Sequence, residues 1–247
     1  MEFSIEPSLL KDLIDLDQED IFSFKIKEDR IIVSSIDTAK ISLFSVEVTN
    51  GTLGGFKINP DEIDTIINVK KDTLLQIHKL ASPSDNIKIT KENENTLKFD
   101  VGLIERSVKT LTDTAWRRIP SIKKPETSVT MKSEMLKKII KASQAVSDEL
   151  TFVASNKGLS IGNKTTDQSA KIAIPKDLLL NTSFDEPISS IYPLEKLTFF
   201  IGNVSTETVS LSFEKDNPIT IEFELISNTK LNPKVTVIIA PRVPPPS

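Results

Sequence analysis

Along most of the chain apolar and polar residues alternate with a period of two. The alternation runs through "DIFSFKIKEDRIIVSSID" (20–37), "AKISLFSVEV" (39–48), "DNIKITKENENTLKFDV" (85–101), "ELTFVASNKGLSIGN" (149–163), "AKIAIP" (170–175), "ETVSLSFEKDNPITIEFELI" (207–226) and "KVTVIIAPRV" (234–243). Between turn-forming clusters, this is the pattern of strands with one buried and one wet face. Four windows carry a 3.6-residue rhythm instead, near residues 7–17, 70–81, 132–145 and 193–202, and predict helices.

The pattern occurs twice. "PSLLKDLI" at 7–14 is matched by "SEMLKKII" at 133–140, and Phe3-Ser4-Ile5 by Val129-Thr130-Met131, both 126 positions later. Further on, Leu75, Ile87, Ile89, Leu97 and Phe99 match Leu197, Val209, Leu211, Ile219 and Ile221 at a constant offset of 122. Each half is therefore expected to hold one helix, a run of strands, a second helix and a strand pair in about 120 residues. The expected domains are 1–112 and 128–247, joined by an extended connector at 113–127. The surrounding stretch "TDTAWRRIPSIKKPETS" has two prolines and no periodicity. The ending "PRVPPPS" lacks the amide donors a ladder needs and is expected to be a tail.

Composition narrows the chemistry more than the fold. The 247 residues are 38% apolar and 27% charged, enough for a sizeable core. With no cysteine there is no disulfide framework, thiolate nucleophile or cysteine zinc site, and an intracellular setting is the simplest expectation. The N-terminus lacks the basic start and apolar run of a signal peptide, and no membrane span is expected. Seven glycines form neither a phosphate-cradling loop nor a dinucleotide fingerprint, and the single His78 cannot make a paired-histidine metal site, so neither catalysis nor a cofactor is expected.

With only two helices per half, one broad sheet face stays in water and the sheets end in unpaired strands. Candidate edges are "ERSVKTLT" (105–112), with Val108, Lys109, Thr110 and Leu111, and "SAKIAIPKD" (169–177), with Lys171, Ile172, Ala173 and Ile174. Two pseudo-equivalent halves with an open edge at each end can close head to tail into a ring, unless side chains cap those edges in a monomer.

The net charge of −4 says nothing about which face holds the positives. In the third helix Leu136, Ile139, Ile140 and Ser143 share a stripe, and Lys137, Lys138, Lys141 and Glu134 are expected on the opposite face. In the second, Gln76 and Lys79 are expected outside with Leu80. Such lysines suit either a solvated face or phosphate contacts, and no aromatic residues interleave for base stacking. The first helix carries Asp12, Asp15, Asp17, Glu19 and Asp20 with only Lys11, in a spacing that fits no calcium loop, and these acids are expected to be solvated.

Three stretches carry a resemblance: "SSIDTAKISLFSVEV", "VKKDTLLQIHKLASPSDNIKI" and "VIIAPRV" are similar to strand, helix and terminal segments of the DNA sliding clamps of the proliferating cell nuclear antigen (PCNA) type, the archaeal members most closely. The resemblance spans nearly the whole chain. It implies an α+β fold class: two tandem copies of a DNA-clamp domain, each with antiparallel sheets and two helices, in a trimeric ring around double-stranded DNA, with helices lining the channel. Both homotrimers and heterotrimers occur among the archaeal clamps it resembles. By the resemblance Lys11, Lys79, Lys138 and Lys141 match basic channel positions, while Asp12, Gln18, Gln76 and Gly202 stand where relatives can carry basic residues. The edges at 105–112 and 169–177 look like the family's subunit junction.

The resemblance also implies an outer pocket for clamp-interacting peptides of DNA polymerase, clamp loader, flap endonuclease and DNA ligase. Lys40, Ile41 and Leu43 match its strand, Ile119 and Pro120 its connector. Pro218 matches a neighbouring turn, and Ala240, Pro241 and Val243 match the C-terminal wall. Arg117 stands where an aliphatic residue is usual, and the connector is basic where relatives are acidic, so partners with acidic flanks are expected to be favoured. The implied setting is the cytoplasm beside the nucleoid in an archaeon, or the nucleus in a eukaryote. Without the resemblance, the residues also admit a monomeric peptide-binding β-rich scaffold without DNA contact, or a cytosolic hydrolase.

Overall fold

The computed structural model describes residues 1–112, 122–184, 187–202, 205–228 and 231–242. Two units divide the chain: Met1–Ile119 with Leu225–Val235, and Pro120–Glu224 with Thr236–Ser247. The returning stretch is tied into the first unit by Thr52 Oγ1, which donates to the Leu231 carbonyl at 2.8 Å, and by the Asn228 amide, which donates to Glu6 Oε2 at 3.2 Å.

The first unit runs β1 (Glu2–Ile5), α1 (Pro7–Leu16), β2 (Ile21–Ile26), β3 (Arg30–Ile36), β4 (Ser42–Thr49), β5 (Gly54–Lys57), β6 (Ile66–Lys70), α2 (Lys71–His78), β7 (Ile87–Asn93), β8 (Thr96–Val101) and β9 (Ile104–Lys109). One sheet has the order β5-β1-β7-β8-β9, and four strands of another the order β4-β3-β2-β6. The second unit runs β10 (Ser128–Lys132), α3 (Ser133–Ser143), β11 (Glu149–Ser155), β12 (Gly158–Lys164), β13 (Ser169–Pro175), β14 (Asn181–Ser183), β15 (Ile188–Pro193), α4 (Leu194–Gly202), β16 (Thr208–Ser212), β17 (Ile219–Glu224) and β18 (Lys234–Ile239). Its strands are ordered β14-β10-β16-β17-β18 and β13-β12-β11-β15, which is the first unit's topology element for element.

The duplication extends to register. Phe3 faces Ile89 across β1–β7 and Val129 faces Leu211 across β10–β16; Ile5 with Ile87 corresponds to Met131 with Val209. These pairs combine the offsets of 126 and 122 that the sequence displays. The next ladder agrees, with Ile89 opposite Phe99 and Leu211 opposite Ile221. A third strand, β9 or β18, follows the expected pair after the second helix of each half. Strands β5, β6, β14 and β15 also lie outside the stretches read as alternating.

Each helix closes a core with one apolar stripe. Leu9, Leu10, Leu13, Ile14 and Leu16 of α1 are buried, as are Leu136, Ile139 and Ile140 of α3. In the first unit Phe3, Leu13, Phe24, Val33, Leu74, Ile89 and Phe99, from both sheets and both helices, surround an apolar cavity of only about 20 Å³. Both sheets and both helices therefore meet in one close-packed core, which leaves the helices' remaining faces and the edge strands to meet solvent.

Candidate DNA-facing helices and partner surfaces

In the first unit α1 and α2 pack side by side. Lys11 on α1 is paired with Asp15 one turn on, so its ammonium is partly neutralised within its own helix. The neighbouring Asp12 is half-buried, and burial followed by the charge of Asp15 raises its carboxyl above the ordinary range. His78 is half-buried and senses Lys11 and Asp15, so it faces α1 as well as the interior. Burial first, then Lys11, lowers its pKa, while Asp15 acts the other way. On α2, Gln76, Lys79 and Leu80 are exposed as expected. Lys79 sits at the helix C-terminus, where a cation complements the helix dipole.

In the second unit α3 exposes Glu134, Lys138 and Lys141. Lys137 differs from expectation: it is half-buried and engaged rather than on the solvent crest. Lys137 lies about a quarter turn round from Leu136, on the flank of Gln144, and Gln144 Nε2 donates to Thr198 Oγ1 of α4 at 3.4 Å. The outward cations of this helix are therefore two, not three.

The acids after α1 are also not all solvated. Asp17 is 1% exposed, and desolvation pushes its carboxyl up to about 6 despite a hydrogen bond from the Glu19 amide at 3.0 Å and the nearby charge of Lys71. The Lys71 ammonium donates to the Asp17 backbone carbonyl. Among the described residues no group of three or more His, Asp or Glu could hold a metal ion. No described helix is long and apolar enough to cross a membrane.

The stretch 37–43 owes its shape to Asp37. Its Oδ1 accepts the Ile41 amide at 2.7 Å and the Ser42 amide at 3.0 Å, and the Lys40 amide donates to the Asp37 carbonyl at 2.9 Å. The resulting turn holds Lys40 at φ 57°, in the left-handed region, and leaves Ile41 40% exposed. Leu43 is buried at 6% exposure at the start of β4. In the second unit Pro218, Ala240 and Pro241 are half-buried. The chain after β18 is fixed by the Arg242 amide, which donates to the Ile191 carbonyl at 2.8 Å, and by ion pairs from Arg242 to Asp148 at 3.2 Å and Glu149 at 3.5 Å. Arg117, Ile119, Pro120 and Val243 lie outside the described residues.

Strand β9 pairs only with β8 in its sheet, and β13 only with β12, so each is an edge. Val108 is half-buried and Lys109 exposed. The Thr110 amide continues the ladder on the β8 side by donating to the Asn95 carbonyl, and the Leu111 amide donates to the Asn68 carbonyl, both at 2.9 Å. On β13, Lys171 and Ala173 are exposed and Ile172 half-buried. Ile174 is buried, so only its backbone belongs to the open edge. Sequence reasoning passed over Arg106 of β9, whose Nη2 donates to Gln76 Oε1 at 2.9 Å; an arginine in an alternating strand gives no sign of which helix it will reach.

A duplicated unit of two antiparallel sheets and two helices is the DNA-clamp fold. The structure superimposes on PCNA of Archaeoglobus fulgidus, solved with the C-terminal region of FEN-1 bound, with a TM-score of 0.88, 23% identity and 99% of each chain covered. PCNA of Thermococcus kodakaraensis follows at 0.83 and 19% identity, over 98% of this chain and 99% of that one. No protein-family model matches the chain. Among curated proteins, the DNA polymerase sliding clamps of Thermoplasma volcanium and Thermoplasma acidophilum are each 31% identical over 223 residues, which is 89% of this chain and 89% of theirs. The chain belongs to the DNA polymerase sliding clamp family.

Proposed function

We propose that the chain is one subunit of a three-membered ring that encircles duplex DNA and tethers replication and repair enzymes to it without chemistry of its own. The carrying observation is the exposed lysine set on helices of a duplicated fold, Lys79 on α2 and Lys138 and Lys141 on α3. Weak contacts to phosphate carry no sequence information, which suits sliding. Lys11, tied to Asp15, and the half-buried Lys137 would add less. The free edges β9 and β13 support head-to-tail closure, by self-association or with paralogous subunits.

For partner enzymes the reading is the peptide pocket that the family resemblance implies, with Lys40, Ile41, Leu43, Arg117, Ile119, Pro120, Pro218, Ala240, Pro241 and Val243 as its residues. It would take short peptides of polymerase, clamp loader, flap endonuclease and ligase. The FEN-1 segment bound to the A. fulgidus relative supports peptide docking as the mode. Domains 1–112 and 128–247, and a DNA-associated intracellular location, complete the proposal.

Light scattering should give a mass about three times that of the 27.4 kDa chain, alone or with paralogues. Once loaded, the ring should stay on circular duplex and be lost when the circle is cut. A monomer at high concentration with every candidate paralogue, or equal retention on both DNA forms, would overturn the reading.

A further inference from the structure

We infer that Arg106, carried by the edge strand β9, is a DNA-phosphate contact that makes up for the charge missing from α2. This rests on the proposed encirclement of duplex DNA. The outward face of α2 carries the exposed Asp72, Gln76 and Lys79, so Lys79 shares that face with an acid, and Gln76, which lies toward β9, is uncharged. In the β8–β9 ladder Arg106 stands opposite Phe99, which is 1% exposed in the core. Directly opposed residues of an antiparallel pair leave the same face of the sheet, so Arg106 also leaves on the helix side. From there its guanidinium reaches Gln76 Oε1 at 2.9 Å.

The ladder's carboxylates are occupied elsewhere. Asp100 and Glu105 pair with Lys98 at 3.5 and 3.0 Å, and Glu92 accepts from the Ser107 hydroxyl at 3.1 Å. The bond to a neutral amide orients the guanidinium without cancelling its charge. It uses one of five N–H donors and leaves a planar fork, which matches phosphate oxygens better than a point charge does. The sheet edge thus brings a cation to the helix surface at Gln76, where the helix itself carries none.

The test uses the full chain and its Arg106→Ala, Arg106→Lys and Lys138→Ala variants. Binding to a linear duplex of mixed sequence is followed by fluorescence anisotropy between 50 and 200 mM salt, with light scattering in parallel. Arg106→Ala should flatten the log K against log[salt] slope by about 0.9 per contact, which makes the loss of affinity over that range about threefold smaller. Arg106→Lys should keep most of the slope, and mass should not change. An unchanged slope in Arg106→Ala, or a slope that falls only with loss of the assembly, overturns the assignment. If Lys138→Ala flattens the slope and Arg106→Ala does not, only the Arg106 assignment fails; if neither does, encirclement fails with it.

Discussion

Asp17 shows how a single side chain can set a pH response. Its carboxyl titrates near 6 in the fold against an ordinary value of 3.8, so the folded chain holds this proton more tightly than the unfolded one. The contribution of Asp17 to stability is therefore fully present below the unfolded value and is lost as pH rises through about 6. Asp17→Asn keeps an oxygen for the Glu19 amide and removes the buried charge. It should stabilise the protein by about 2–3 kcal/mol at pH 8 and have almost no effect near pH 3, as read from urea melts. Asp37 is the opposite case, a side chain whose Oδ1 shapes the backbone. Asp37→Ala leaves the Ile41 and Ser42 amides without their acceptor and should cost about 1–3 kcal/mol, with a lower denaturation midpoint at unchanged slope. The Asp37 turn is local, but the role of Asp17 is not. Asp17 looks like one more solvated acid because the groups that surround it, Ser35 and Lys71, arrive from β3 and α2.

For whole elements, periodicity exposed most of what matters. The stripe Leu136, Ile139, Ile140 and Ser143 is buried as its spacing predicts, because a helix repeats its face every 3.6 residues whatever surrounds it. Lys138→Ala should accordingly leave the melting temperature within about a degree while weakening DNA retention, since an exposed cation contributes little to folding. Leu136→Ala should do the reverse through stability, costing about 2–5 kcal/mol in a denaturant titration. The flank of a helix is harder to read than its crest or its base. Lys137 sits on the flank it shares with Gln144, whose partner Thr198 on the neighbouring helix is about sixty residues away in sequence. Short strands escaped for another reason. β14 spans three residues, and Ile67, Asn68 and Val69 of β6 are all buried, so neither displays a clean alternation.

On the scale of the molecule, the duplication was legible because two constant offsets survive in the strand register, whereas the charge on the open edges becomes meaningful only once the strands are ordered. Lys109 of β9 and Lys171 of β13 both leave their sheets on the side away from the helices. In a head-to-tail junction between identical chains whose register set them opposite each other, they would repel. Lys109→Glu or Lys171→Glu alone should tighten self-association by about 1 kcal/mol at low salt, and the double variant should gain nothing, as measured by sedimentation. The shared register has a further consequence. Phe3 packs its ring against Phe24 and Phe56 at 6.3 and 6.1 Å, yet Val129 occupies its counterpart; Tyr192 packs on Phe152 at 5.6 Å where the other repeat has Val69. A strand that strayed into the wrong repeat while the chain was folding would find every hydrogen-bond partner it needs and a hole or a collision where its side chain belongs. Divergent interiors thus guard twin backbones against exchanging parts.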